Sequence, residues 1–176
     1  MKYKQAIIES MELLSKDTKT LFLGYGIKYG GKAGGTLSTI NTEQLIETPL
    51  AENLMAGLSV GLSIEGYKPV LFVERFDFIL NALDAIVNHL DKFKIISENQ
   101  YKPKVIIRTC IGRRLSPFLT GPTHTQDFTD AMKELVSFPI LRPRTASELI
   151  DCYKMAYNYN DSVMIVEELD LYDIDF

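Results

Sequence analysis

The feature that most constrains this chain is an alternation. Runs that are apolar almost throughout, LFL at 21–23, PVLFV at 69–73, VIIRT within 104–109, PIL at 139–141 and VMIV at 163–166, alternate with longer stretches. In the longer stretches the apolar residues recur at three and four positions. A short run without polar alternation suits a strand covered on both faces, and the other rhythm suits one face of a helix. Helices are expected over 3–15, where Ala6, Ile7, Met11 and Leu14 fall together, and from Glu52 to the punctuation at Gly66 and Pro69. More are expected over 76–97, with Leu80, Leu83, Ile86, Val87, Leu90 and Phe93 in register, and over 126–135 and 146–157. A short extended piece at 45–47 precedes the second helix. Strands alternating with helices need crossover connections. The expected fold is therefore α/β: a three-layer, doubly wound, mostly parallel sheet. Ligands of such sheets bind beyond the carboxyl ends of the strands. The 47–52 turn, the 74–78 turn and the 110–124 loop all follow strands and should share that edge. No repeat or linker appears, so residues 1–176 read as one domain.

Charge and cysteine usage exclude several classes. The net charge is −4 with no basic block, which argues against a nucleic-acid partner. Cys110 and Cys152 stand far apart, without CxxC or Cys/His spacing. Neither a disulfide framework nor a metal site is expected, and a reducing compartment suits them. The amino terminus MKYKQAIIESMELL is amphipathic and lacks the apolar core of a signal peptide. No run approaches the ~20 apolar residues of a membrane span. The expectation is cytoplasmic, with no membrane partner. In GYGIKYGGKAGGTL, Gly24, Gly26 and Gly30 are spaced G-x-G-x-x-x-G and no helix follows at once. A dinucleotide fingerprint is rejected, and a loop remains. The chain also lacks a P-loop, which disfavours an unrelated doubly wound nucleotide-binding protein.

The most informative stretch is ETPLAENLMAGLSVGLSIEG at 47–66. Glu52 opens a helix whose dipole favours a carboxylate in the first turn. Leu54, Leu58, Leu62 and Ile64 suggest its apolar face. Gly57 and Gly61 each cost roughly 1 kcal/mol relative to alanine inside a helix, so their spacing suggests close approach of another backbone. On these grounds alone, Glu52 reads as an ordinary acid at the start of a core helix. The wording adds more. TPLAEN with GLSVGLSIEGYKPV, then YKPVLFVERFDFILNALDAIVNHLDKF, then GPTHTQD, resembles the pyrimidine-binding domain of thiamine diphosphate enzymes. The likeness is to beta subunits of 2-oxo acid dehydrogenases (pyruvate, branched-chain, acetoin) and to transketolase, and it runs from about 21 to 167.

The resemblance implies roles residue by residue. Glu52 would bond the aminopyrimidine ring of thiamine diphosphate and favour its imino tautomer, whose nitrogen accepts the thiazolium proton. A carboxyl doing this must be able to hold a proton, which burial favours; Leu50, Leu54 and a partner surface are expected to supply that burial. Phe78 would pack on the pyrimidine, although packing in the core is an equal reading for a phenylalanine. Glu74 stands beside the cofactor position where related chains carry Gln or Met, a departure. His124, in GPTHTQD where the family has H-S-Q, would serve the substrate as donor or proton shuttle. The preceding loop, with Arg113 and Arg114, departs furthest; the pair either binds an anionic substrate group or faces solvent. His89 reads as a surface helix residue. The acidic tail LDLYDIDF has no assigned role.

The family binds the diphosphate through a metal and a G-D-G motif in a second domain. No GDG occurs in these residues, and no diphosphate-binding or carboxyl-terminal domain is expected within them. A diphosphate needs a hard cation with oxygen ligands. Mg2+ and the diphosphate are therefore expected on a GDG-containing partner subunit, in a dimer or heterotetramer that meets this chain at Gly57/Gly61 and the helix from Phe76. The expected activity is that of a split thiamine diphosphate enzyme that decarboxylates a 2-oxo acid and transfers the fragment. A split transketolase acting on ketose phosphates and a non-catalytic regulatory relative are the alternatives.

Overall fold

A computed structural model describes residues 1–115 and 119–176. Residues 116–118 of the loop expected over 110–123 lie outside the described residues. Six parallel strands form one sheet in the order β2-β1-β3-β4-β6-β5. They are β1 Thr20–Gly24, β2 Leu45–Glu47, β3 Lys68–Val73, β4 Ile106–Ile111, β5 Ile140–Leu141 and β6 Val163–Glu168. The chain runs from β1 to β2 on one side and returns to β3 on the other, so a topological switch point opens between β1 and β3.

The helices are α1 Tyr3–Ser15, α2 Glu52–Ile64, α3 Phe93–Ile96, α4 Thr129–Leu135 and α5 Ala146–Asn158. Successive strand residues point to opposite faces, and each face has its own core. Val70, Phe72, Ile106, Val163 and Ile165 pack with α1 and α5. Leu71, Val73, Ile107, Met164 and Val166 pack with α2 and the segment after β3. That is why the strands read as apolar throughout. Thr145 caps α5 by accepting the Glu148 N–H at 3.2 Å.

Three expectations need correction. The helix expected over 76–97 is three pieces of different pitch: a 3-10 helix Phe76–Ala82, a π-helical stretch Asp84–Leu90, and α3. One physical reason is a rival acceptor. The Ala85 N–H donates to the Asn53 side chain at 3.1 Å in place of a carbonyl one turn back. The buried Asp91 carboxylate pins the end of the segment by accepting from the Ser137 amide and hydroxyl, both at 2.7 Å. Residue periodicity cannot register either contact. The inner face of α2 is Met55, Ala56, Ser59 and Val60, while Leu54 and Leu58 are exposed. The strand expected at 104–109 runs two residues later, because Cys110 and Ile111 still pair with Glu167 and Glu168.

The acidic tail is part of the fold. Tyr172 is buried against Tyr3, Lys2 and Asp175 form an isolated antiparallel backbone bridge, Asp170 accepts the Arg114 backbone N–H, and Asp173 pairs with the Arg113 guanidinium. Both cysteines are free thiols, as expected. No helix of the described residues is long and apolar enough to cross a membrane.

Candidate functional site

The carboxyl ends of the strands carry most of the expected residues. The loop after β1 folds around Glu47, whose carboxylate accepts the N–H groups of Gly26 at 2.6 Å, Lys28 at 2.7 Å and Tyr29 at 3.2 Å. Burial pushes this carboxyl upward in pKa, but the backbone donors outweigh burial and hold it below the ordinary value. The glycine-rich segment is thus an amide nest already filled by an acid of its own chain.

Glu52 sits in the first turn of α2 and is 6 % exposed. Its Oε2 accepts one long bond, 3.5 Å, from the Asn81 amide. Asn81 lies three residues after Phe78 in the 3-10 helix, where residues three apart share a face. Phe78 in turn meets the His124 ring edge-on, with centroids 5.3 Å apart. A chain of contacts therefore joins Glu52, Asn81, Phe78 and His124. Asn81 was not singled out from the sequence; only the short-pitch turn brings it to Glu52. Leu50 is 61 % exposed and Leu54 is exposed too, so the burial of Glu52 comes from its own fold rather than from these leucines.

The His124 loop is held at several points. The Gly112 N–H donates to the His124 carbonyl at 2.9 Å. A Cβ at Gly112 would stand 2.1 Å from that oxygen, so the approach requires glycine. Gln126 donates to Asp77 at 2.8 Å, and Arg142 ties Asp127 to Glu168. Arg114 donates to the Thr125 carbonyl. Arg113 and Arg114 are thereby committed to the tail and to this loop. Thr123 engages His124 Nδ1 at 3.0 Å, and Nε2 bonds to no described residue. His89 is exposed and faces Asp84, as a surface residue should.

Glu74 does not join this constellation. It lines a separate cleft with Tyr25, Arg75, Cys110 and Tyr172 at the switch point. Burial pushes the Cys110 thiol up to about 12, so it is no nucleophile. No group of three or more His, Cys, Asp or Glu among the described residues is placed to hold a metal.

With this geometry established, comparison places the chain among known proteins. No family model matches. The mitochondrial pyruvate dehydrogenase E1 component subunit beta of Saccharomyces cerevisiae is 26 % identical over 181 residues, covering 100 % of this chain and 49 % of the yeast protein. The 2-oxoisovalerate dehydrogenase subunit beta of Bacillus subtilis is 26 % identical, covering 95 % of this chain and 52 % of its own length. The chain is thus similar over nearly all of its length to beta subunits of 2-oxo acid dehydrogenases. The acetoin:2,6-dichlorophenolindophenol oxidoreductase subunit beta of Cupriavidus necator is 25 % identical across 98 % of this chain and 54 % of that protein. The chain spans about half the length of the curated relatives it matches. A solved split-gene transketolase, an inactive beta4 tetramer, superposes with a TM-score of 0.70 at 18 % identity, over 99 % of this chain and 51 % of that one. At that identity the likeness shows the fold alone: the chain has the same α/β architecture as that transketolase.

Proposed function

We propose that residues 1–176 form a single pyrimidine-binding domain and supply the pyrimidine half of a thiamine diphosphate site. In this reading the assembled enzyme decarboxylates a 2-oxo acid and transfers the resulting fragment. The observation that carries this reading is the Glu52 carboxyl, buried at the head of α2 with one long contact and hence with bonding capacity to spare. The residues around it fit the aminopyrimidine end of the cofactor. When bound, thiamine diphosphate supplies the electron sink for decarboxylation. Glu52 would bond a ring nitrogen of the aminopyrimidine through its carboxyl, and Asn81 would orient that carboxyl. Phe78 offers its ring to the heterocycle, and Glu74 sits farther along the same edge. His124, fixed through Nδ1, offers Nε2 to the substrate.

The diphosphate and Mg2+ belong, in this proposal, to a GDG-containing partner subunit. The relatives' names as beta subunits support a multi-subunit enzyme. So does the outer side of α2 with the turn before it, where Leu50, Leu54 and Leu58 are exposed and nothing lies within 4 Å of a Cβ at Gly57 or Gly61. The test is reconstitution with such a partner, followed by turnover of a series of 2-oxo acids. Glu52→Gln should lower turnover by about 10²–10⁴-fold with assembly intact. Unchanged turnover in that variant sinks the assignment. The chain alone should bind thiamine diphosphate weakly, and tight Mg2+-dependent binding by it would refute the shared site.

A further inference from the structure

We infer that the cleft between the loop after β1 and the turn after β3 is a binding site for a small oxyanion, a carboxylate or a phosphate, anchored on Arg75. The cleft has a volume of about 210 Å³ and lies at the carboxyl ends of β1 and β3. That is the crevice where open parallel sheets leave room for ligands. Arg75 is largely buried there, yet its guanidinium is underused. Nη1 donates to the Glu74 carbonyl at 2.8 Å and makes a weak 3.6 Å contact with Cys110 Sγ. Nε is buried with no acceptor, and Nη2 bonds to no described residue. A guanidinium carries five donors, and leaving buried ones unmet is costly.

The acids at this edge do not meet that need. Glu47 is saturated by the loop amides. The Glu74 carboxylate stands 3.6 Å from Nη1 and is about half exposed, so it is a weak partner that a better-placed anion can displace. The opposite wall adds Gly31 and Gly34, whose N–H groups donate to no described residue, with Tyr25 and Tyr172 alongside. A planar fork facing backbone amides across a small cleft suits a trigonal or tetrahedral oxyanion. The site does not share a residue with the Glu52–Asn81–Phe78–His124 constellation, so it stands or falls apart from the proposed cofactor role.

The test is titration of the 15N-labelled chain with sodium phosphate and, separately, sodium acetate, each against sodium chloride at matched ionic strength. Saturable shifts at the amides of Gly31 and Gly34 and at Arg75 Nε–H are expected with at least one oxyanion. The tighter arm distinguishes phosphate from carboxylate. Arg75→Gln should weaken binding about tenfold or more, as loss of charged hydrogen bonds implies. Glu74→Gln, which removes the competing acid, should tighten it. Shifts that match chloride, or an affinity unchanged in Arg75→Gln, overturn the inference. If Arg75→Gln fails to fold, the Glu74→Gln titration decides, because unchanged or weaker binding there contradicts a site in which Glu74 competes.

Discussion

At the scale of single residues, two acids on one edge do opposite things. Glu47 is filled by amides of its own chain, and Glu52 is buried with capacity left over. Glu47 immediately precedes TPLAEN and Glu52 lies within it, and nothing in their neighbours' identities separates the two roles. For Glu47 a pH dependence follows. Its native pKa is depressed below the ordinary carboxyl value by the backbone donors, so its contribution to stability is complete above that ordinary value and is lost as pH falls through the lower native one. Glu47→Gln should cost about 2 kcal/mol at neutral pH, typical of hydrogen bonds to a charged group. The difference from the parent should shrink toward pH 3. Urea unfolding at several pH values measures this, and a difference that stays constant with pH would refute it.

At the scale of elements, the decisive piece is the segment after β3. Its apolar spacing is legible as helical, but its pitch is not, because a backbone donor, Ala85 N–H, is taken by Asn53 from elsewhere in the chain. The change of pitch brings Asn81 to Glu52 and Phe78 to His124. The His124 loop rests on it through Asp77, which is 7 % exposed and has Gln126 as the partner of one oxygen. Gln126→Ala should therefore leave the buried acid with only the long 3.4 Å bond from the Gln126 backbone N–H and cost about 1–3 kcal/mol. Gly112→Ala should displace the His124 carbonyl, cost about 1–3 kcal/mol and lower Tm by several degrees. Thermal unfolding and the amide signals of 121–126 check both. A Gly112→Ala chain with unmoved signals would show that the close approach is not required.

At the scale of the whole molecule, one buried network ties the layers together. Arg108 forms a two-pronged pair with Glu167 at 2.8 and 3.1 Å, and Thr36 from the first loop accepts from the same guanidinium. Tyr153 from α5 and Tyr172 from the tail donate to Glu167. Removing one partner strands a charge in the interior. Arg108→Met should cost about 3–5 kcal/mol, and combining it with Glu167→Leu should recover part of that loss. Equilibrium unfolding of the two variants tests it, and equal destabilisation by both would count against a charge-pairing origin.

The sequence by itself determined the layering and the strand order of appearance, because strands covered on both faces must be apolar throughout and helices must show a three-and-four rhythm. It also placed Glu52, Phe78 and His124 at strand ends through their position after apolar runs. Which residues meet was decided only in three dimensions. Leu54 and Leu58 face outward, Asn81 meets Glu52, Arg113 goes to the tail and Arg114 to the His124 loop. Each of these depends on acceptors and charges supplied by distant segments, and spacing along the chain carries no record of such partners.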